Sequence, residues 1–287
     1  MADGAYRWLG NAPAPDAARV DGIHAALDQT AAHAFGEPAR AAAVERIDRT
    51  LTTARADGLE AAVAALSQLR SRIEALRPDA LEPRRGLAGL FDSRGKRLNR
   101  FREQFRDAAD RLTDSGAALA VRIEGAARRA TSLDAVWAEI RDAVADLDAH
   151  LAAAARALSG HAPAPAATED GAVHPLEARK ATLDACRAAA LQSLPLIRGS
   201  QNADARTSEA LKSCTDGLAA WRDDWRDALG LSGKRPRRIR PDKARLARSR
   251  EQALARLDRT LAELTTLGAR RGDVERRLAA VAAGVRP

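Results

Sequence analysis

The sequence predicts an all-α protein, an elongated antiparallel bundle of long, coiled-coil-like helices. Three observations lead there. β-branched and aromatic residues never alternate for long; Ala, Leu, Arg, Glu and Asp dominate throughout; and apolar residues recur at intervals of 3 and 4 over most of the chain. With apolar types at 46% but aromatics at only 3% of the 287 residues, close helix packing is expected in place of a thick core around a roomy ligand cavity.

Taken in order, 16–35 and 38–55 read as modest helices. A stronger one spans 58–77, with Leu59, Val63, Leu66, Leu69, Ile73 and Leu76 on one side and Arg77-Pro78 as its stop. The next segment, 86–105, holds three of the four phenylalanines among basic residues. From it Leu98, Phe101, Phe105, Ala108, Leu112, Ser115 and Leu119 begin a seam with steps of 3 and 4. The seam resumes at Ile123 and continues through Leu133, Trp137, Ile140, Val144 and Leu147 to Leu158. Such a seam marks helices packed along their length, so Phe101 and Phe105 read as core anchors. Thr131-Ser132-Leu133-Asp134 has the form of a capping box, leaving open whether the helix breaks there.

The Pro, Gly and Ala-rich run 159–175 reads as a linker that lets the following helix fold back. That helix, about 176–229, places Leu183, Cys186, Leu194, Ile197, Leu211, Cys214, Leu218, Trp221 and Trp225 on one face, with a polar middle at Gln201, Asp204 and Ser208. Pro195 lies inside the pattern and is expected to bend or interrupt it, since proline cannot donate the main-chain hydrogen bond. A basic connector precedes a last amphipathic helix carrying Leu246, Leu257, Leu264, Leu267 and Leu278. The domain reading is a variable N-terminal segment 1–36, a helical region 37–158 with the first long arm, the linker 159–175, and a second arm with the C-terminal helix at 176–285.

The opening MADGAYRWLGNAPAPDA lacks a basic start followed by an apolar run, and no uncharged apolar stretch approaches the ~18 residues of a membrane span, so a cytoplasmic protein is expected. Cys186 and Cys214 fall on apolar faces and read as reduced core thiols, while the histidines show no ligand spacing, so no metal is expected. Phosphate-binding loops, dinucleotide fingerprints, HExxH pairs and GxSxG elbows are all missing. The expectation is therefore a protein without catalytic residues or cofactors. Asp223, Asp224 and Asp227 read as solvated charge.

The formal net charge of +8 is concentrated in two places: nine Lys or Arg against Asp242 alone in 234–250, and eight against Asp92 and Glu103 in 84–106. Most of this charge reads as solvating outer helix faces. The alternative is a polyanion binder in which Lys234, Arg235, Arg237, Arg238 and Arg240 grip nucleic acid or an anionic membrane surface, with peripheral attachment at the membrane in the second case.

The run LQSLPLIRGSQNADARTSEALKSCTDGLAAWRDDWRDALGL, residues 191–231, resembles the toxic anion resistance family, also called TelA-like or tellurite resistance proteins. The positions that carry the resemblance are Leu191, Gln192, Pro195, Ile197, Arg198, Gln201, Asn202, Trp221 and the Ala-Leu-Gly-Leu at 228–231. A second stretch, 73–105, resembles the family's helix ending near Pro, its Gly-Leu-Phe turn and its basic aromatic helix. The chain departs from the family at 121–123, Val-Arg-Ile, where an Asp-Asn pair is frequent. The resemblance implies a cytoplasmic helical protein linked to tolerance of tellurite and of envelope stress, and it brings no reaction with it. Pro195, Ile197, Arg198, Gln201, Asn202 and Trp221 are its candidate functional positions. Its expected partners are other proteins, a second copy included, met through helical faces.

Overall fold

The computed structural model describes residues 14–27, 31–55, 59–82, 93–160, 174–233 and 235–286. Among them it is all helix: α1 (Ala17–Leu27), α2 (Glu37–Ala54), α3 (Glu60–Ala75), α4 (Arg94–Gly160), α5 (Pro175–Ala228) and α6 (Lys243–Ala283), with short 3-10 turns at Ala32–Ala34 and Pro78–Leu81. The helix expected over 16–35 is thus two pieces, and most of the expected linker, 161–173, lies outside the described residues. Two compact units form. Unit 1 comprises Met1–Ala56, Arg129–Asn202 and Arg271–Pro287; unit 2 comprises Asp57–Arg128 and Ala203–Arg270. The helices α4, α5 and α6 each contribute a stretch to both.

Unit 1 encloses two apolar clusters. One gathers Ile47, Leu133, Ile140, Val144, Leu194, Ile197 and Leu278; the other gathers Phe35, Leu147, Leu183 and Cys186 with alanines at 39, 43, 153 and 154. The alanines carry no side chain beyond Cβ, and a burial this rich in them needs backbones in close approach. The entry to α2 is fastened by charge: Glu37 accepts from Arg40 and is ion-paired with Arg179, whose Nε also donates to the Phe35 carbonyl at 2.6 Å. The hydrogen bond from Arg40, reinforced by Arg179, lowers the Glu37 carboxyl to about 2. A depressed carboxylate contributes stability that is complete above its unfolded value near 4.5 and is lost as the pH falls through about 2. The Glu37→Gln variant should therefore show a flatter loss of helicity by circular dichroism between those limits than the parent protein. Identical acid profiles would contradict this.

Unit 2 is built on one cluster that runs from Leu66, Leu69 and Ile73 of α3, through Phe101, Phe105 and Leu112 of α4, to Leu211, Leu218, Trp221 and Trp225 of α5 and Leu257 and Leu264 of α6. Ring centroids lie 5.8 Å apart for Phe101 and Trp225, 5.9 Å for Phe105 and Trp221, and 5.1 Å for the two tryptophans. Phe101 and Phe105 of the basic segment are core anchors, each 2% exposed, while Phe91 lies outside the described residues. Cys214 is buried here and Cys186 in unit 1; both are free thiols whose pKa burial raises.

Two local signals are overridden. The capping-box sequence at 131–134 does not break α4: Leu133 within it, Ala126 before it and Val136 after it are all buried, and no proline or glycine occurs from 126 to 136. Pro195 does not interrupt α5 either. A proline inside a helix costs about 3 kcal/mol, but the neighbouring Leu194 and Ile197, 1% and 0% exposed, each return about 1.5–3 kcal/mol on burial. Next to it, the Ser193 hydroxyl donates to the Ala190 carbonyl at 2.7 Å.

Candidate functional site

In unit 1 the family-like positions after Pro195 distribute themselves around α5. Ile197 goes into the core, Pro195 and Asn202 face outward, and Arg198 and Gln201 lie on the edge that meets α4. There Arg198 Nη1 donates to Asp134 Oδ1 at 2.5 Å and to Gln201 Oε1 at 2.6 Å, while Gln201 Nε2 donates to the Ala130 carbonyl at 2.9 Å and to Asp134 Oδ1 at 3.1 Å. The Arg198 guanidinium also stands over the Trp137 ring, 4.5 Å from its centroid, with Arg141 over the same ring at 5.0 Å. Hydrogen bonds from Gln201, then from Arg198, hold the Asp134 carboxyl below its ordinary range. Half-exposed ion pairs add little stability, so the value of this clamp is in fixing the register of α5 on α4. Trp221, the remaining family-like position, belongs to the core of unit 2, and its indole N–H finds no acceptor among the described residues.

In unit 2 the Ala-Leu-Gly-Leu at 228–231 is a helix stop. Gly230, at φ 68°, takes the left-handed conformation, its N–H donates to the Asp227 carbonyl at 2.8 Å, and the Leu231 N–H reaches back to the Arg226 carbonyl at 2.8 Å. These two bonds make a Schellman motif, which favours glycine because a Cβ is strained at positive φ. The reversed chain is then tied to α4 by a buried arginine. Arg102, 6% exposed, donates from Nε and Nη2 to the Leu229 carbonyl at 2.9 and 2.7 Å, and from Nη2 to the Arg237 carbonyl at 2.7 Å. Burial, then the charge of Arg106, lowers the Arg102 pKa. Its surroundings are carbonyls, the negative end of α5 included.

This tie brings the two basic runs of the sequence together. From the connector, Arg235, Arg237, Arg238 and Arg240 are exposed; Lys234 lies outside the described residues. From the first turns of α4, Arg94, Lys96 and Arg100 are exposed too, with Arg94 Nη2 donating to the Ile239 carbonyl at 3.5 Å. None of these seven has a carboxylate partner among the described residues, whereas Arg70, Arg72, Arg222 and Arg245 of the same unit are each ion-paired.

A groove of about 1000 Å³ runs between α5 and α6 in unit 2. Arg245, Arg248, Gln252, Arg256 and Arg259 stand along its α6 side, and Gly217, Ala220 and Asp224 along α5. Arg245 is engaged by Asp224, and Asp258 by Arg70; Arg256 and Arg259 reach only carbonyls, those of Ser213 and Ala255. Arg256 lies flat because residue 217 is glycine, since a Cβ there would come within 2.7 Å of its Cδ. The obstacle is the end of a flexible side chain, so Gly217→Ala should swing Arg256 outward and, by relieving a helix-interior glycine, leave the urea midpoint unchanged or raise stability by up to ~1 kcal/mol. A loss larger than that would contradict the arrangement.

Among the described residues no cluster of three His, Cys, Asp or Glu could hold a metal ion, and no helix is long and apolar enough to cross a membrane. Compared with family models, residues 20–235 match the toxic anion resistance protein (TelA) family. The chain belongs to the TelA family. Searches of curated proteins and of solved structures gave no match. The TelA match takes in Arg102, the Arg198 and Gln201 clamp and the Gly230 stop, and it ends at Arg235. Arg237, Arg238, Arg240 and the arginines on the α6 side of the groove lie beyond it.

Sequence reasoning passed over Arg102, Gly217 and Arg256. Arg102 sits beside Phe101 and one turn from Leu98 and Phe105, at the margin of the seam, and that placement was the only signal available for it.

Proposed function

We propose that this protein serves in resistance to tellurite and other toxic anions, and in tolerance of envelope stress, as a cytoplasmic binding protein with no reaction of its own. Membership of the TelA family supports the physiological half of this reading. The observation that carries the binding half is the groove between α5 and α6, where Arg248, Arg256 and Arg259 have no carboxylate partner among the described residues. The apolar seams are spent inside the units, and Val121 is the only large hydrophobic residue among those described that stands exposed. A partner must therefore be met through charge and shape. An acidic segment of another protein fits: its carboxylates would pair with guanidinium forks, and the small residues Gly217 and Ala220 let its backbone approach closely.

The test is a photo-crosslinker placed at Gln252, which is exposed in the groove, in cells challenged with tellurite. A discrete crosslinked protein is expected, and it should vanish when Arg256→Glu and Arg259→Glu are introduced together. A crosslink indifferent to those charges, or turnover of tellurite by the purified protein with a nicotinamide donor, would contradict the proposal.

A further inference from the structure

From the basic end of unit 2 we infer a second binding surface, separate from the groove: a sequence-independent seat for the phosphate backbone of double-stranded nucleic acid. Two basic runs more than a hundred residues apart in sequence converge there, joined by Arg102 to the Arg237 carbonyl and by Arg94 to the Ile239 carbonyl. The convergence places Arg94, Lys96 and Arg100 on the same end as Arg235, Arg237, Arg238 and Arg240, all exposed and without carboxylate partners among the described residues. Uncompensated charge repels itself, and seven such cations, in a unit where Arg70, Arg72, Arg222 and Arg245 are paired internally, are left for an anion from outside.

Beside this end lies a cleft of about 550 Å³ lined in part by Arg106, Arg222, Arg226, Gly233 and Pro236, with Asp110 as its one acidic group. Arg222 is paired with Asp223, and Arg226 Nε reaches the Leu231 carbonyl at 3.4 Å, so Arg106 supplies the cleft's least engaged cation. Exposed cations around a cleft suit a ridged phosphate backbone, whereas a bilayer presents a flat face.

The apolar residues decide between polyanions. Stable membrane attachment needs an inserted apolar group or lipid besides charge, and Val121, well along α4, is the one exposed large hydrophobic residue among those described. Single-stranded nucleic acid is held by stacking on aromatic rings, but Phe101, Phe105, Trp221 and Trp225 are all buried in the core of unit 2. Contacts from these cations to phosphates position a duplex without reading its bases.

Fluorescence anisotropy of the full chain with a labelled duplex of about 20 base pairs tests this, with log K expected to fall against log salt at a slope of about −4.5 to −6.3 for some five to seven phosphate contacts. The quadruple variant Arg235→Glu, Arg237→Glu, Arg238→Glu and Arg240→Glu should lose at least about 30-fold in affinity with unchanged helicity, these side chains being exposed. The groove pair Arg256→Glu and Arg259→Glu should lose far less. Tighter binding to phosphatidylglycerol vesicles or to a single strand of the same length, no binding to the duplex, or a quadruple variant that binds as the parent does would each overturn the inference.

Discussion

Replacing Trp225 with alanine is expected to cost unit 2 about 3–5 kcal/mol, the range for deleting a fully buried aromatic side chain. Trp225 is 0% exposed and stacks against Phe101, Phe105 and Trp221 at 5.1 to 5.8 Å, so its loss empties the middle of the cluster and removes three ring contacts at once. Surrounding side chains come from four helices and cannot all close in. Trp225→Phe keeps much of the volume and, because the indole N–H has no acceptor among the described residues, loses no hydrogen bond; it should cost less than half as much. Urea unfolding followed by circular dichroism measures both. Equal penalties for Phe and Ala would mean that the indole N–H has a partner after all.

Arg102→Ala comes next, with an expected cost of about 2–4 kcal/mol, because it strands buried main-chain acceptors. Three N–H to O contacts at 2.7 to 2.9 Å vanish, leaving the Leu229 carbonyl at the end of α5 and the Arg237 carbonyl of the connector without their donor. The parent bears a counterweight: a buried charge with no carboxylate beside it among the described residues costs desolvation, which is why the net figure stays below the sum of three charged hydrogen bonds. A lysine supplies one ammonium where two separated carbonyls need a fork, so Arg102→Lys should recover no more than about half. Amide hydrogen exchange would show the loss concentrated in 229–242 and the first turns of α4. A uniform change, or a cost under ~1 kcal/mol, would contradict the role given to Arg102.

Most of the fold could be read from the sequence because helical packing obeys a local period. Leu98, Phe101, Phe105, Leu112 and Leu119 on α4, and Leu183 through Trp225 on α5, are the faces that the 3 and 4 steps pick out, and they are buried. Two cues that are local and yet depend on tertiary packing could not be resolved from sequence. The 131–134 sequence has the chemistry of a helix start, and Pro195 that of a helix stop, but buried neighbours on each side keep both segments helical. The polar middle of α5 was legible only as polar: Thr207 and Ser193 are buried with their hydroxyls turned back to carbonyls of their own helix, while Gln201 crosses to α4.

The sites were less legible, since they are made by contacts distant along the chain. Arg102 meets carbonyls 127 and 135 residues away, and nothing near it in sequence announces them. The basic runs were visible as separate excesses of charge, but their convergence was not. Arg256 appeared as one more arginine on an amphipathic helix until Gly217 placed it against α5.

Whether charge in the groove serves tellurite tolerance through a partner is tested most directly by growth on tellurite of a strain lacking this gene and complemented with defined variants. The parent chain should restore growth; the Arg256→Glu and Arg259→Glu pair, present at equal level and equal helicity, should not. Full restoration by the charge-reversed pair would contradict that role of the groove.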